Sequence, residues 1–302
     1  MTRHPLFGLA LAIFGALMLT PDALFMRLSG MAGYQMVGWR GVMMGTVMLI
    51  LWSVTARAKA RDLAMLATGT GALLVVTQYA NMTLFSLGIA HAPVAVMLLG
   101  VATAPVFAAL LSWAVMAERT RPATWVAIVA VMAGLALAVS GGDGTDAGSA
   151  VLGLAAGLGV ALVLALNFVL LRARPDMPIA LVIGLGAVLA GATGWAVTGP
   201  AQMGQGAVWA IAVCGLVILP VSFFSLSFAS RHTHASNVSL LLLLETVLGP
   251  LWVWLGVGER PTPVMLAGGA VVVASLALYL WHEGRRRRAE LKKRQAASQS
   301  GG

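Results

Sequence analysis

The chain has 302 residues, of which 60% are hydrophobic and only 10% are charged, whereas soluble domains carry roughly 25% charged residues. Apolar runs long enough to cross a bilayer follow one another with short breaks, which excludes a soluble globular fold. The net charge of +9 falls in short connections and one tail, which is typical of membrane orientation and not of nucleic-acid binding.

The apolar runs predict helices, because lipid offers no partners to backbone polar groups and the runs lack the alternating polarity of a membrane barrel. In chain order we expect ten membrane-spanning helices, near residues 5–27, 34–55, 63–88, 93–116, 122–140, 150–171, 178–198, 206–229, 235–257 and 262–282. A glycine-rich acidic linker is expected at 141–149, and a basic tail at 283–302. The prediction is an all-α integral membrane protein.

Basic residues fall almost entirely on one side of this arrangement. An even number of helices puts both termini on the same side, and that side also receives Arg57, Lys59, Arg172 and Arg174. Since positively charged connections stay in the cytoplasm, we expect both termini to be cytoplasmic and the 141–149 linker to lie outside.

One stretch of sequence occurs twice. Residues Leu110–Val139 align without a gap with Leu251–Leu280, at an offset of 141 residues, and both copies keep the order Trp, Glu-Arg, Pro. The chain is therefore expected to contain two five-helix repeats, at 1–140 and 150–282. Because five is odd, the second repeat enters the membrane from the opposite side, an arrangement typical of secondary transporters.

Few ionisable residues are expected inside the bilayer. Glu245 lies near the middle of the ninth helix, and we consider two interpretations of it: a proton or substrate-amine site, and a carboxyl group sealed between helices for packing. Asp22 and Arg40 are expected at similar depth on adjacent helices. They are interpreted either as an ion pair that lines an outer vestibule or as a structural bridge between the first two helices.

Amide side chains at membrane depth either bond between helices or line a polar cavity. We predict a substrate cavity in which polar groups face one part of a ligand and apolar groups the other. The expected lining is Gln78, Tyr79, Asn81, Met82, Leu98, Asn167, Phe168 and Glu245.

Three prolines are expected inside helices: Pro105 in the fourth, Pro220 in the eighth and Pro250 in the ninth. Proline removes a backbone hydrogen bond and kinks a helix. We interpret the three as candidate gating positions, with simple tolerance of proline as the alternative.

The sequence offers little for catalysis. Cys214 is the only cysteine, so no disulfide or thiolate metal site can form within one chain. No metalloprotease motif or Ser/His/acid set is present, and the histidines lack metal-ligand spacing. We therefore predict no enzymatic activity, no metal and no cofactor.

The stretch VATAPVFAALLSWAVMAER, together with the Glu-Arg and Pro repeat, resembles the drug/metabolite transporter superfamily in its ten-helix EamA-type form. Asn167-Phe168-Val169 and Trp39-Arg40 resemble further patterns of that family. In the second half the family often has Glu followed by Pro, whereas here Thr246 follows Glu245. The overall sequence is most similar to the YddG-type amino-acid exporters of bacterial inner membranes.

The resemblance implies a secondary transporter without a bound cofactor, in which helices 1, 3, 4, 6, 8 and 9 surround a central cavity. The expected function is export of amino acids, including aromatic ones, and related small metabolites by alternating access. The alternative is broad efflux of drugs or lipophilic cations by proton antiport through Glu245. The expected partners are a small-molecule substrate and the lipid bilayer, with a monomer as one possible oligomeric state.

Overall fold

The computed structural model describes residues 5–92, 94–117, 122–140 and 147–258, and single helical residues between 263 and 285. Every regular element within these ranges is a helix. Seven stretches of the described chain are long and apolar enough to cross a membrane. Large apolar side chains such as Val54, Val126 and Leu255 are exposed on the outside of the bundle, which is the surface that lipid would cover.

The helices have the following bounds. In chain order they are α1 (Pro5–Leu19), α2 (Asp22–Ser29), α3 (Gly33–Thr55), α4 (Lys59–Leu66), α5 (Gly69–His91), α6 (Val94–Val101), α7 (Ala104–Met116), α8 (Pro122–Ser140), α9 (Ala147–Ala173), α10 (Ile179–Thr198), α11 (Pro200–Met203), α12 (Val208–Val213), a π segment (Cys214–Ile218), α13 (Leu219–Ser230) and α14 (Ala235–Val257). The predicted helices therefore occur where expected up to residue 257, but several are divided.

Two of the predicted helices are broken near their middle. The helix predicted at 5–27 is divided between α1 and α2 at Pro21, which has no N–H to offer the Leu17 carbonyl. The Thr20 hydroxyl donates to that carbonyl instead, at 2.9 Å. The helix predicted at 93–116 is divided between α6 and α7, and there the Thr103 hydroxyl donates to the Gly100 carbonyl at 2.7 Å. Such hydroxyls stabilise a break at membrane depth.

Two further predictions need correction. The helix predicted at 206–229 contains the π segment, in which the hydrogen-bond ladder slips by one residue before Pro220. The helix predicted at 63–88 consists of α4 and α5, because the Thr68 side chain caps α5 by accepting from the Gly71 N–H at 3.2 Å. Ser, Thr, Asp and Asn are the preferred residues at such a cap.

The closest packing in the bundle joins α3 to α10. Gly38 lies against Gly194 and Gly41 against Gly191, so the two helices run antiparallel with their backbones in contact. A Cβ on Gly41 would lie 2.5 Å from the Ala187 carbonyl oxygen and closer still to the Gly191 nitrogen. Only glycine at position 41 permits this approach. Small residues commonly allow helices to pack closely in membranes.

When the spans are numbered as predicted from the sequence, two pairs of helix contacts correspond between the two halves of the chain. The third span, α5, packs on the sixth, α9, while the first, α1, packs on the eighth, α13. The fourth span, α6 and α7, packs on α9, while the ninth, α14, packs on α1 and α2. In each case the second contact is obtained from the first by replacing both spans with the spans five places away in the predicted order.

Several sequence predictions fall outside the described residues. These are the Glu118-Arg119 and Glu259-Arg260 pairs, most of the linker at 141–149, and nearly all of the tail at 283–302. Of the tenth predicted helix, 262–282, only separate helical residues are described.

Candidate functional site

A cavity lies inside the bundle, between helices from both halves of the chain. It is lined by Leu19, Asp22, Arg40, Asn81, Met82, Phe85, Val101, Leu164, Phe168, Leu219, Phe223, Leu226, Leu242 and Glu245. These residues come from the six spans expected from the sequence and also from the second span, through Arg40. In this state the cavity is narrow, with room for little more than one water molecule.

One part of the wall carries an ion pair. Arg40 Nη2 donates to Asp22 Oδ2 at 2.6 Å, and both side chains are buried. The guanidinium also contacts the Met26 sulfur and the Ser86 hydroxyl, and it lies 5.3 Å from the centre of the Phe85 ring. The ring face adds cation–π attraction to the pair. Arg40 is thereby fixed in one orientation at the cavity wall.

Glu245 lies in the same wall, on α14. Its side chain is 3% exposed, and it interacts electrostatically with both Asp22 and Arg40. The chain thus places three ionisable groups together in a region where a single one is costly. Such a concentration of charge inside a membrane bundle is typical of a transport pathway.

Apart from the Asn81 amide, the rest of the wall is apolar. Three aromatic rings, those of Phe85, Phe168 and Phe223, come from α5, α9 and α13, and leucine and valine side chains fill the space between them. A ligand held here would meet charged groups on one part of its surface and hydrocarbon on the other, which is the usual composition of a small-molecule site.

The helix interruptions cluster beside this cavity. Leu19 and Asp22 flank the break between α1 and α2, Val101 ends α6, and Leu219 follows the π segment. Irregular backbone at membrane depth is tolerated where it is buried or lines a cavity. Broken helices mark the substrate sites of many transporters, and π segments occur frequently at functional sites.

Several predicted site residues meet at this cavity. Asn81, Met82, Phe168 and Glu245 line it, and so do Asp22 and Arg40, which we interpreted either as a vestibule ion pair or as a bridge between the first two helices. Asp22 and Arg40 form an ion pair between α2 and α3, in the same cavity wall as Glu245.

Four other predicted lining residues are not among those that line this cavity. Gln78 packs against Gly186 of α10, and the Tyr79 hydroxyl lies 3.3 Å from the Thr193 hydroxyl of the same helix. Asn167 donates to the Thr77 hydroxyl at 3.3 Å, between α9 and α5. Leu98 is buried near Gly249 of α14. Helix-to-helix bonding, the alternative considered for the amides, describes the contacts of Asn167.

Most apolar residues of the cavity wall were not predicted from the sequence. Phe85 follows Asn81 by four residues, Leu164 precedes Phe168 by four, and Leu242 precedes Glu245 by three. Residues three or four apart share one face of a helix. Helical spacing from each predicted lining residue was therefore the signal that could have identified them.

The three candidate gating prolines occupy different local structures. Pro105 lies in the first turn of α7, where the absent N–H of proline costs no helical hydrogen bond, so it is not inside a continuous helix as predicted. Pro220 directly follows the π segment and lies inside the continuous helical stretch Val208–Ser230, as predicted. Pro250 lies within α14, as predicted. Among the described residues no group of three or more His, Cys, Asp and Glu side chains is arranged to hold a metal ion.

Side-chain hydrogen bonds join neighbouring segments at each end of α10. At the beginning of α10, Arg172 donates to the Thr233 carbonyl at 2.6 Å and Arg231 donates to the Met177 carbonyl; we call this the arginine clasp. At the other end of α10, the Gln35 amide donates to the carbonyls of Gln202 and Gln205, at 3.0 and 2.6 Å. We call this second contact the glutamine latch. A helix of this length separates the two by about 30 Å.

Comparison with known proteins agrees with this architecture. Residues 6–140, a little less than half of the chain, match the EamA-like transporter family. A crystal structure described only as that of a protein superposes with a TM-score of 0.72 at 17% sequence identity. That match covers 92% of this chain and 98% of the other, and at such identity it shows the fold alone. No curated protein matches the chain.

Proposed function

We propose that the protein is a ten-helix carrier of the drug/metabolite transporter type, built from two inverted repeats at 1–140 and 150–282. Two observations support this. Contacts between spans have counterparts between the spans five places further along the chain, and the sequence around residue 118 is repeated around residue 259. An inverted repeat places a site near mid-membrane at the repeat interface. The proposal is supported by a cavity whose walls come from both halves of the chain.

The repeat proposal has a direct test in cysteine labelling. A Cys214→Ser chain receives one cysteine at residue 118 or at residue 259, and intact cells are treated with an impermeant thiol reagent. We expect labelling at 259 in intact cells, and labelling at 118 only after the cells are opened. Labelling of both residues from the same side would contradict the inversion.

Within this carrier, the cavity is the substrate site and the transported compounds are amino acids, including aromatic ones, and related small metabolites. The observation that carries this proposal is the composition of the cavity wall. An ion pair and a carboxyl group stand on one part of it and three aromatic rings on another, which matches a zwitterion with an apolar side chain. The family resemblance suggests export across the inner membrane of a bacterium.

Movement is required for transport, because the cavity holds little more than a water molecule in this state. In an alternating-access cycle each end opens in turn while the other stays closed. The arginine clasp and the glutamine latch join neighbouring segments at opposite ends of α10, so each is suited to hold one end shut.

The experiment for the proposed function is flux from proteoliposomes. Vesicles with the purified full-length protein are loaded with labelled amino acids, and efflux is followed with and without a pH gradient. Saturable efflux of aromatic amino acids is expected, and protein-free vesicles provide the control. Absence of flux for every amino acid, metabolite and cation tested would refute the carrier proposal.

The second candidate function is efflux of lipophilic cations by proton antiport. Burial of Glu245 beside aromatic rings favours it, since one carboxylate can exchange a proton for a cation. The same vesicles separate the two candidates: antiport requires cation flux that depends on the pH gradient, whereas the first candidate predicts amino-acid flux without one.

A further inference from the structure

We propose that the cavity holds a primary ammonium group by means of three acceptor oxygens, one each from Asp22, Asn81 and Glu245. The inference rests on the proposed function of the cavity as a substrate site and specifies the chemical group that the site recognises. It concerns one subsite within the cavity.

Three acceptor oxygens of residues that line the cavity have no hydrogen-bond partner. Asp22 Oδ1, Asn81 Oδ1 and Glu245 Oε1 are all buried, and none is bonded within the described part of the chain. The three residues are 0%, 5% and 3% exposed, and all three line the same cavity. Buried polar atoms nearly always have a partner in folded proteins, so three acceptors without one at the same cavity indicate a ligand that supplies donors. Arg40 Nε is a fourth buried atom without a partner at this cavity, and as a donor it would take a ligand acceptor.

The hydrogen-bonding capacity of these three oxygens restricts the chemical class of the ligand. A carboxylate oxygen and an amide oxygen accept hydrogen bonds, and a primary ammonium group supplies three donors and no acceptor. A ligand carboxylate would bring only further acceptors, and a hydroxyl group would bring one donor. Three acceptors from three different helices therefore match one ammonium group in number and in type.

The charge of the site leads to the same group. Asp22 and Arg40 form an ion pair and balance each other, so the carboxylate form of Glu245 leaves one negative charge in the wall. A single positive charge on the ligand neutralises it, and buried charges require such pairing. Arg40 is held by Asp22, Met26 and Phe85 and does not need to move.

The aromatic residues fix what the ammonium is attached to. Phe85, Phe168 and Phe223 line the same cavity, so the rest of the ligand is apolar or aromatic. Phenethylamine has these two features and no others, which makes it the simplest probe. N,N,N-trimethylphenethylammonium keeps the charge and loses every N–H, and N-acetylphenethylamine keeps an N–H and loses the charge.

The test measures binding of these three probes to the purified full-length protein by titration calorimetry. We expect phenethylamine to bind roughly tenfold or more tightly than either analogue, because hydrogen bonds to charged groups are the stronger kind. Equal binding of the trimethylated analogue would overturn the proposal in favour of a general cation site. Competition by NaCl that choline chloride does not reproduce would overturn it in favour of a sodium site.

Matched variants place the site. Asn81→Leu removes one acceptor at nearly constant volume and should weaken phenethylamine binding about tenfold. Thr83→Val is the control, since Thr83 lies on the same helix with an unpartnered hydroxyl but does not line the cavity. Its binding should match that of the unmodified chain. Unchanged affinity in Asn81→Leu, with the protein folded by circular dichroism, would overturn the proposal.

The outcome is separable from that of the proposed function. Amino-acid flux combined with equal binding of all three probes would leave the carrier standing and remove the ammonium site. Selective binding of phenethylamine without flux of any solute would leave the site standing and remove the carrier.

Discussion

Arg172 at the end of α9 donates a hydrogen bond to the Thr233 carbonyl, 2.6 Å away in the loop between α13 and α14. Arg231 in that loop donates in return to Met177, in the loop that follows α9. The two loops are therefore joined by two charged donors in opposite directions. Burial lowers the pKa of Arg231 to about 10, so its guanidinium keeps its proton and remains a donor at neutral pH.

Replacing Arg231 by methionine should loosen the loop after α9. Hydrogen bonds from charged groups contribute about 1.5–3 kcal/mol, so amide hydrogen exchange at Arg174 and Met177, whose N–H groups are bonded in this loop, should accelerate roughly tenfold or more. Arg61→Met is the control, because Arg61 pairs with Asp176 of the same loop at 3.7 Å but both side chains are largely exposed. Equal acceleration in the two variants would mean that the clasp adds nothing beyond surface charge.

Gly41→Ala should destabilise the bundle. The added methyl group would meet the Ala187 carbonyl oxygen at 2.5 Å, with no flexible side chain to yield, and overpacking of this kind costs about 1–3 kcal/mol. Thermal unfolding in detergent measures the loss. Gly69→Ala provides the control, since nothing lies within 4 Å of a Cβ there. A melting temperature unaffected by Gly41→Ala would show that α3 and α10 can separate freely.

The Asp22–Arg40 pair predicts a non-additive mutant cycle. Asp22→Asn or Arg40→Met alone leaves a buried charge without its partner, which costs about 3–5 kcal/mol. The double variant removes both charges and should be more stable than the sum of the two single losses predicts. Unfolding of the four proteins gives the coupling energy, and additive losses would mean that the pair is not formed in the membrane.

Glu245→Gln distinguishes the two candidate functions. Glutamine keeps an acceptor oxygen but carries no charge, so the amino-acid carrier should retain part of its flux without dependence on a pH gradient. A proton antiporter would lose cation flux entirely, because the group that exchanges the proton is gone. Flux measurements in proteoliposomes on both sets of solutes decide between these results.

Much of the helical arrangement could be predicted from apolar runs alone, because the bilayer fixes the length of a span. The buried polar residues that matter, Asp22, Arg40 and Glu245, were also found this way, since each is exceptional at membrane depth. Their meeting at one cavity depended on helix rotation, which composition does not specify.

The remaining errors have physical causes. Hydropathy does not register a break that threonine hydroxyls satisfy, so the divisions at Pro21 and Thr103 were missed. Gln78 and Asn81 are three residues apart on α5, yet one packs on Gly186 and the other lines the cavity. The close approach of α10, made possible by its glycines, decides which of the two amides is covered.

Transport by alternating access requires a cavity that opens to each side of the membrane in turn. Met82 lines that cavity and is 3% exposed, so a Met82→Cys, Cys214→Ser chain reports on access to it. In vesicles of known orientation, an impermeant thiol reagent should label this cysteine when added from either side, and a transported amino acid should slow both reactions. Labelling from one side only, at a rate that no solute alters, would contradict the carrier.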